Sequence, residues 1–210
     1  MSIVDVRQQM LVNADPALKY KHRSTKDIKQ IIIHCDDWHT DYQTVNAYDI
    51  GTQCHVNPGK GCPGFTYTYF IMDDGTTYHC MDLEEVTWHA GMHNWESMAV
   101  CLSYRATGNK NTPPFIQMSA LYELIANLCL QLHITPDHVL GHRELLGTGY
   151  ILDHGIKKLR KECPGILINL DMVRAEITKR LQTILAQKKL YNGKIDGIFG
   201  PKTKMAFLLA

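Results

Sequence analysis

Eleven histidines and seven cysteines stand in a chain of 210 residues, and three of them close segments in a way that suits metal chemistry. His34 follows the apolar run Ile31-Ile32-Ile33, His142 follows Val139-Leu140-Gly141, and Cys163 begins a Cys-Pro-Gly turn. Two imidazoles and a thiolate make an N/N/S donor set that suits zinc. Three protein ligands are enough for a catalytic zinc, which keeps its fourth position for water, whereas a structural site wants a fourth. Each residue also has a plainer reading: a lone His is more often a surface or satisfied core residue, and a lone Cys a buried thiol. A third reading makes Cys163 a nucleophile with His142 as its base; the proline that follows Cys163 weighs against it.

Elements able to position such residues are legible in the pattern. Residues 29–35 hold three consecutive β-branched residues and predict a buried strand. Val45, Tyr48 and Ile50 are spaced like one side of a helix within residues 36–51, and the Gly- and Pro-rich residues 52–64 predict a loop. Residues 65–72 and 77–81 flank Asp73-Asp74-Gly75-Thr76 and predict a hairpin. A strand over 97–104, a loop over 109–114, an amphipathic helix over 118–132 and a short strand at Val139-Leu140 follow. Residues 145–162 carry glycines and a basic run, residues 168–189 are helical by pattern, and the tail from Leu190 is rich in glycine. Strands and helices interleave, which predicts an α/β class. Residues 1–27 read as an arm that docks on the main domain.

Composition bounds the function. Lys and Arg total 22 against 21 Asp and Glu, a net charge of +1, so no basic excess argues for nucleic acid. Mean hydropathy is -0.20, and the absence of a long apolar run predicts no membrane span. The N-terminal residues lack a basic stretch followed by an apolar one, so no signal peptide is expected. With seven cysteines at least one thiol is unpaired, and no C-x-x-C occurs; reduced, mostly buried thiols are the expectation. Cys54 and Cys62, flanking the Pro/Gly-rich loop, are the first pair to test for a bridge.

Six segments occur in a telling order: Ile31-Ile-Ile-His34-Cys35; Thr66-Tyr67-Thr68-Tyr69-Phe70-Ile71 with Asp74-Gly75-Thr76; Trp88-His89-Ala90-Gly91; Asn94 to Leu102; Gly141-His142-Arg143-Glu144; and Lys161-Glu-Cys163-Pro164-Gly165. Over about residues 28–170 this resembles the zinc amidases typified by phage amidase-type lysozymes and the peptidoglycan recognition proteins, which are N-acetylmuramoyl-L-alanine amidases. The resemblance implies an α/β fold, a mixed central sheet flanked by helices, with a zinc cleft on one face. It implies His34, His142 and Cys163 as ligands of Zn2+, Tyr67 and Lys161 as catalytic residues, and Trp88, His89 and Asn94 as residues that bind the glycan strand or stem peptide of bacterial peptidoglycan. Trp38 and His39 are further candidates for the groove wall. Both catalytic roles have chemical sense, since an ammonium and a phenol can stabilise the oxyanion that forms when water attacks an amide beside a metal. Thr68 stands where many relatives have His, and Ala99 to Ser103 carries no carboxylate, so the arrangement is the Tyr/Lys one and not one with a general-base Glu. The interval between His142 and Cys163 is longer than usual and contains Asp153 and His154, which leaves a swapped ligand open.

Leu181 to Ala206, with Asp196-Gly197-Ile198-Phe199-Gly200, resembles a small helical peptidoglycan-binding module. The implied organisation is an amidase domain over 1–170 and a short helical module over 171–210, the alternative being a helical hairpin packed on the amidase. The expected protein is a monomeric endolysin of a phage or prophage, made in the bacterial cytoplasm and acting on the wall after release. A wall-remodelling or recycling amidase and a non-catalytic peptidoglycan-binding protein are the alternatives.

Overall fold

The computed structural model describes residues 2–106 and 112–210; the part of the expected 109–114 loop that falls on residues 109–111 lies outside them. Six strands form one mixed sheet: β1 (Ile3–Asp5), β2 (Gln30–Cys35), β3 (Tyr69–Ile71), β4 (Thr77–His79), β5 (Ser97–Leu102) and β6 (Val139–Gly141), in the order β1-β4-β3-β5-β2-β6. Only β3 and β4, joined by the Asp73–Thr76 turn, pair antiparallel. Helices α1 (Tyr42–Ile50), α2 (Phe115–Leu132), α3 (Leu170–Gln187) and α4 (Pro201–Leu208) flank it. This is the α/β, helix-flanked mixed sheet that the motif order implies.

Period-2 alternation assigns the two faces of the sheet. Ile31, Ile33, Met98, Val100, Leu102, Tyr69 and Ile71 point to one side, where they share a core with Leu121, Leu124, Ile125 and Leu128 of α2 and Val173, Ile177, Leu181 and Leu185 of α3. Each such buried aliphatic side chain stabilises by roughly 1.5–3 kcal/mol. By length and composition α2 is also apolar enough to cross a membrane; here its apolar stripe is buried in this core. Phe70 and Cys101 point to the opposite face, against Tyr42 and Val45 of α1 and Phe65. Ile32 also faces that way, and so by alternation does His34. The site-bearing face is therefore the one not sealed by α2 and α3.

Local differences from the sequence expectation have local causes. Asp41 caps α1 by accepting the Thr44 N–H at 2.8 Å, so that helix starts later than the polar stretch suggests. It buries Tyr42, Val45, Asn46 and Asp49 and leaves Tyr48 and Ile50 half-buried. The basic stretch before Cys163 is a two-stranded hairpin, β7 (Tyr150–Asp153) and β8 (Ile156–Leu159). His154 and Gly155, with φ of 50° and 81°, make its turn; two consecutive positive-φ residues between apolar runs are a hairpin signal. Cys54 and Cys62 are fully buried thiols with their sulfurs 3.5 Å apart, and every cysteine is unbridged.

Asn169 caps α3 by accepting from Asp171 N and Met172 N. Beyond α3 the chain returns through a loop organised by the fully buried Gln182. Its amide donates to Asp196 Oδ1 (2.9 Å), Ile198 O (3.1 Å) and Thr203 Oγ1 (3.1 Å), while its carbonyl accepts from Asp196 N and Gly197 N. Gly197 has φ +79°, and a Cβ there would meet Ala175 O at 2.8 Å. Phe199 and Phe207 pack edge to face with centroids 5.5 Å apart, whereas Ile195 is 47% exposed. Gln182→Met removes this network at nearly constant volume. It is expected to cost about 1–3 kcal/mol through orphaned backbone N–H groups, read as a lower urea midpoint and as faster amide exchange over residues 195–200.

Candidate metal centre

Strand register brings the two imidazoles together. β2 and β6 run parallel with Ile33 opposite Gly141. The next residue of each, His34 near the end of β2 and His142 just past β6, therefore stands beside the other at the carboxyl end of the sheet, ring centroids 4.7 Å apart. The crevice outside the carboxyl ends of parallel strands is the usual ligand position of such sheets. Cys163 arrives from the loop after β8. One donor atom from each of His34, His142 and Cys163 lies within 4.8 Å of the others, and among the described residues no other His, Cys, Asp and Glu group converges in this way. Asp153 and His154 sit on the exposed hairpin turn, paired with each other at 2.7 Å.

The loops that hold these donors are tightly specified. Gly141 must lack a side chain because a Cβ would meet Leu170 Cδ1 at 2.7 Å and Pro164 Cδ at 2.8 Å. Glu144 accepts the Gly141 N–H at 2.9 Å and pairs with Arg174 of α3 at 3.1 Å. Arg143 N donates to Cys163 O at 2.8 Å, and its guanidinium donates to the carbonyls of Gly165 and Ile168. The Gly141-His-Arg-Glu144 motif thus ties β6, the Cys163 turn and α3 into one support.

The protonation states suit a cation. Burial, stronger than the opposing pull of the Cys163 sulfur, lowers the His34 pKa and keeps the ring neutral. Burial by itself would raise the Cys163 thiol, but hydrogen bonding with Cys35 and the neighbouring His34 and His142 hold it well below the usual thiol range. Cys35 N donates to Cys163 Sγ at 3.2 Å, and that sulfur lies 3.6 Å from His34 Nδ1. His142 Nε2 is buried without a hydrogen-bond partner, a cost that a metal bond would remove. A neutral His34 imidazole, a thiol inclined to ionise and an orphaned His142 nitrogen fit zinc.

These residues form one wall of a groove of about 350 Å³ that is also lined by Tyr67, Trp88, His89 and Lys161. The Tyr67 ring lies 5.4 Å from that of His34, and burial pushes its hydroxyl well above its ordinary pKa, so it remains an O–H donor. Trp88 packs edge-on against Tyr20. Asn94 lies in a contiguous groove with Trp88, His89, Arg160 and Lys161; its Oδ1 is occupied by the His89 and Ala90 N–H groups. His89 is 8% exposed, and burial, with His34 and His142 beside it, lowers its pKa well below the ordinary value. His39 turns to Asp73 at 3.0 Å, outside the groove lining that includes Trp38.

Sequence reasoning overlooked several groove residues. Asp36 organises the turn after β2 by accepting from the N–H groups of Trp38, His39, Thr40 and Tyr104. Tyr48 faces the groove with Trp38 stacked edge-on at 4.5 Å, and His55 comes from the loop after α1. Asp49, reading as a polar helix residue, is 3% exposed and accepts from Thr66 N and Oγ1 at 3.0 and 2.8 Å. No local signal marks it, because its burial comes from residues 17 positions away.

Burial raises the Asp49 pKa from 3.8 to about 7, with the two Thr66 bonds opposing. The folded state therefore holds a proton on Asp49 that the unfolded chain has already lost, and stability falls as pH rises from about 4 through about 7. Asp49→Asn keeps an acceptor for Thr66 and is expected to stabilise by roughly 1–3 kcal/mol at pH 8 and by nothing at pH 4. Urea midpoints at the two pH values test this.

A sequence model described as N-acetylmuramoyl-L-alanine amidase matches residues 24–166. No curated protein matches the chain. Among solved structures, the N-acetylmuramoyl-L-alanine amidase LysC from Clostridium intestinale URNW is similar with a TM-score of 0.60 at 19% identity, over 84% of this chain and 97% of that one. The Ph2119 endolysin from Thermus scotoductus MAT2119 bacteriophage Ph2119 gives 0.59 at 16%, over 83% and 98%. Drosophila peptidoglycan recognition protein SD gives 0.60 at 14%, over 80% and 90%. At these identities the likeness is one of fold.

Proposed function

This chain belongs to the N-acetylmuramoyl-L-alanine amidase family, and we propose that it carries out the family reaction with zinc held by His34, His142 and Cys163 and with Tyr67 and Lys161 acting on the substrate. The reaction is hydrolysis of the amide between N-acetylmuramic acid and L-alanine in bacterial peptidoglycan. The observation that carries the zinc reading is the convergence of three donors, from two strand ends and a distant turn, within 4.8 Å. Bound there, zinc would supply Lewis acidity to the scissile carbonyl and to the attacking water.

The chain's own residues do the rest. Tyr67, a hydroxyl that burial keeps protonated, donates to the oxyanion that develops on the carbonyl. Lys161, exposed at the mouth of the same groove, offers a second and charged donor. Such donors act most strongly where the substrate has displaced water. Trp88 offers a ring face to a sugar. Asn94, its carbonyl engaged by the backbone, keeps its amide N–H groups for the stem peptide. His89 closes the wall between them.

Zinc analysis and mass spectrometry of digested sacculi test this together. The expected result is one zinc per chain and release of peptides with a free L-alanine N-terminus, lost on chelation and restored by zinc. Cleavage that survives chelation would favour the Cys163/His142 thiol hydrolase. Zinc binding without cleavage would favour a recognition protein.

The biological setting follows from the same reading. The chain acts as a monomeric endolysin that is made in the bacterial cytoplasm and reaches the wall after release, without a membrane span. The 171–210 segment acts as a short helical wall-binding module that raises the local concentration of substrate. It is supported by the Gln182-centred loop and the exposed Ile195 and Ile198 beside it.

A further inference from the structure

The geometry points to His89 as a positioning residue that, together with Ser97, dictates which nitrogen of His34 is free to bind a metal. This rests on the zinc reading above and assigns His89 a task behind the metal rather than on the substrate.

Four groups in a row fix the proton positions by elimination. Ser97 is fully buried on β5. Its hydroxyl has one proton, and that proton goes to the His93 carbonyl at 2.6 Å, because a carbonyl can only accept. Ser97 Oγ therefore meets His89 Nε2, 3.3 Å away, as an acceptor, and His89 must carry its proton on Nε2. A neutral imidazole protonated there has a bare Nδ1. His89 Nδ1 lies 3.1 Å from His34 Nε2, so it accepts, and His34 donates from Nε2. The one unprotonated nitrogen of His34 is then Nδ1, the atom 3.6 Å from Cys163 Sγ.

A backbone carbonyl on the turn before β5 thus sets the tautomer of a side chain at the end of β2. Without the chain of bonds, His34 could place its proton on Nδ1, and binding a cation would first require moving it. The relay also holds the ring: His34 and His89 stand edge to face, centroids 5.2 Å apart. Partners of this kind commonly contribute 10–100-fold to metal affinity.

Long-range proton–nitrogen NMR spectra of the metal-free wild-type chain, with histidine labelled, test the protonation pattern without any variant. The expected result is Nε2–H on both His34 and His89. A proton on His34 Nδ1 would overturn the inference. Zinc affinity, measured by competition with a chelating dye, tests the consequence. His89→Ala is expected to bind zinc about 10–100-fold more weakly than wild type. Ser97→Ala should lose less, since His89 can still accept. His89→Asn, whose Oδ1 takes the place of Nδ1, should recover most of the loss, which a merely space-filling role for His89 would not produce. Equal affinity of wild type and His89→Ala would overturn the inference while leaving zinc binding intact. A wild-type chain that takes up no zinc would instead overturn the zinc reading, and the two failures are told apart by the wild-type titration alone.

Discussion

Cys163→Ser is expected to abolish hydrolysis of sacculi and to lower zinc affinity by more than the roughly 10–100-fold that loss of an outer partner costs. The reason lies in the donor. Serine is nearly isosteric but does not ionise near neutral pH, whereas the Cys163 thiol is already inclined to do so by Cys35, His34 and His142. The fold should survive, because Cys163 contributes little to the core formed by α2, α3 and the sheet. Thermal unfolding of the metal-free forms should therefore be nearly the same, while added zinc raises the midpoint of the wild type only. Equal zinc stabilisation of both chains would remove Cys163 from the ligand set. Retained cleavage by the variant would remove metal chemistry at this cluster from the reaction.

Tyr67→Phe carries the second large effect. The ring stays in place against Phe65 and His34, and only the hydroxyl is lost. Removing one donor from a developing oxyanion costs about 10²–10³ in kcat. The expected result is a fall of that order in kcat with KM and zinc content close to wild type, because the interaction forms in the transition state and not before. Lys161→Met should act similarly on kcat and also raise KM for the polymer, since an exposed ammonium contributes to binding as well. If Tyr67→Phe raised KM and left kcat alone, the hydroxyl would be a binding group and not part of the chemistry.

How much was legible beforehand differs from residue to residue. Ile31-Ile32-Ile33 announces a buried strand, and the 118–132 pattern announces α2, because local periodicity and burial are the same fact seen twice. The Asp73–Thr76 turn announces the one antiparallel pair of the six-stranded sheet. The 150–159 hairpin is masked in the sequence although His154-Gly155 carries its signal, because the basic run beside it reads as a solvated loop. Asp49 carries no local mark because its partner Thr66 lies 17 positions away, and Asp36, whose turn bonds are local, meets Tyr104 only in the fold.

The order of the motifs, read as a resemblance, carried the class of fold and the family of the reaction, and residue chemistry by itself named His34, His142 and Cys163 as able to share a cation. Such information is local or serial, so a string of letters can hold it. The tertiary structure decided that β2 and β6 lie side by side in a register that puts His34 next to His142. It also decided that a Ser97 hydroxyl reaches His34 through His89. Those are distances between atoms that the chain brings together only when its two sheet faces are packed, and no spacing along the backbone encodes them.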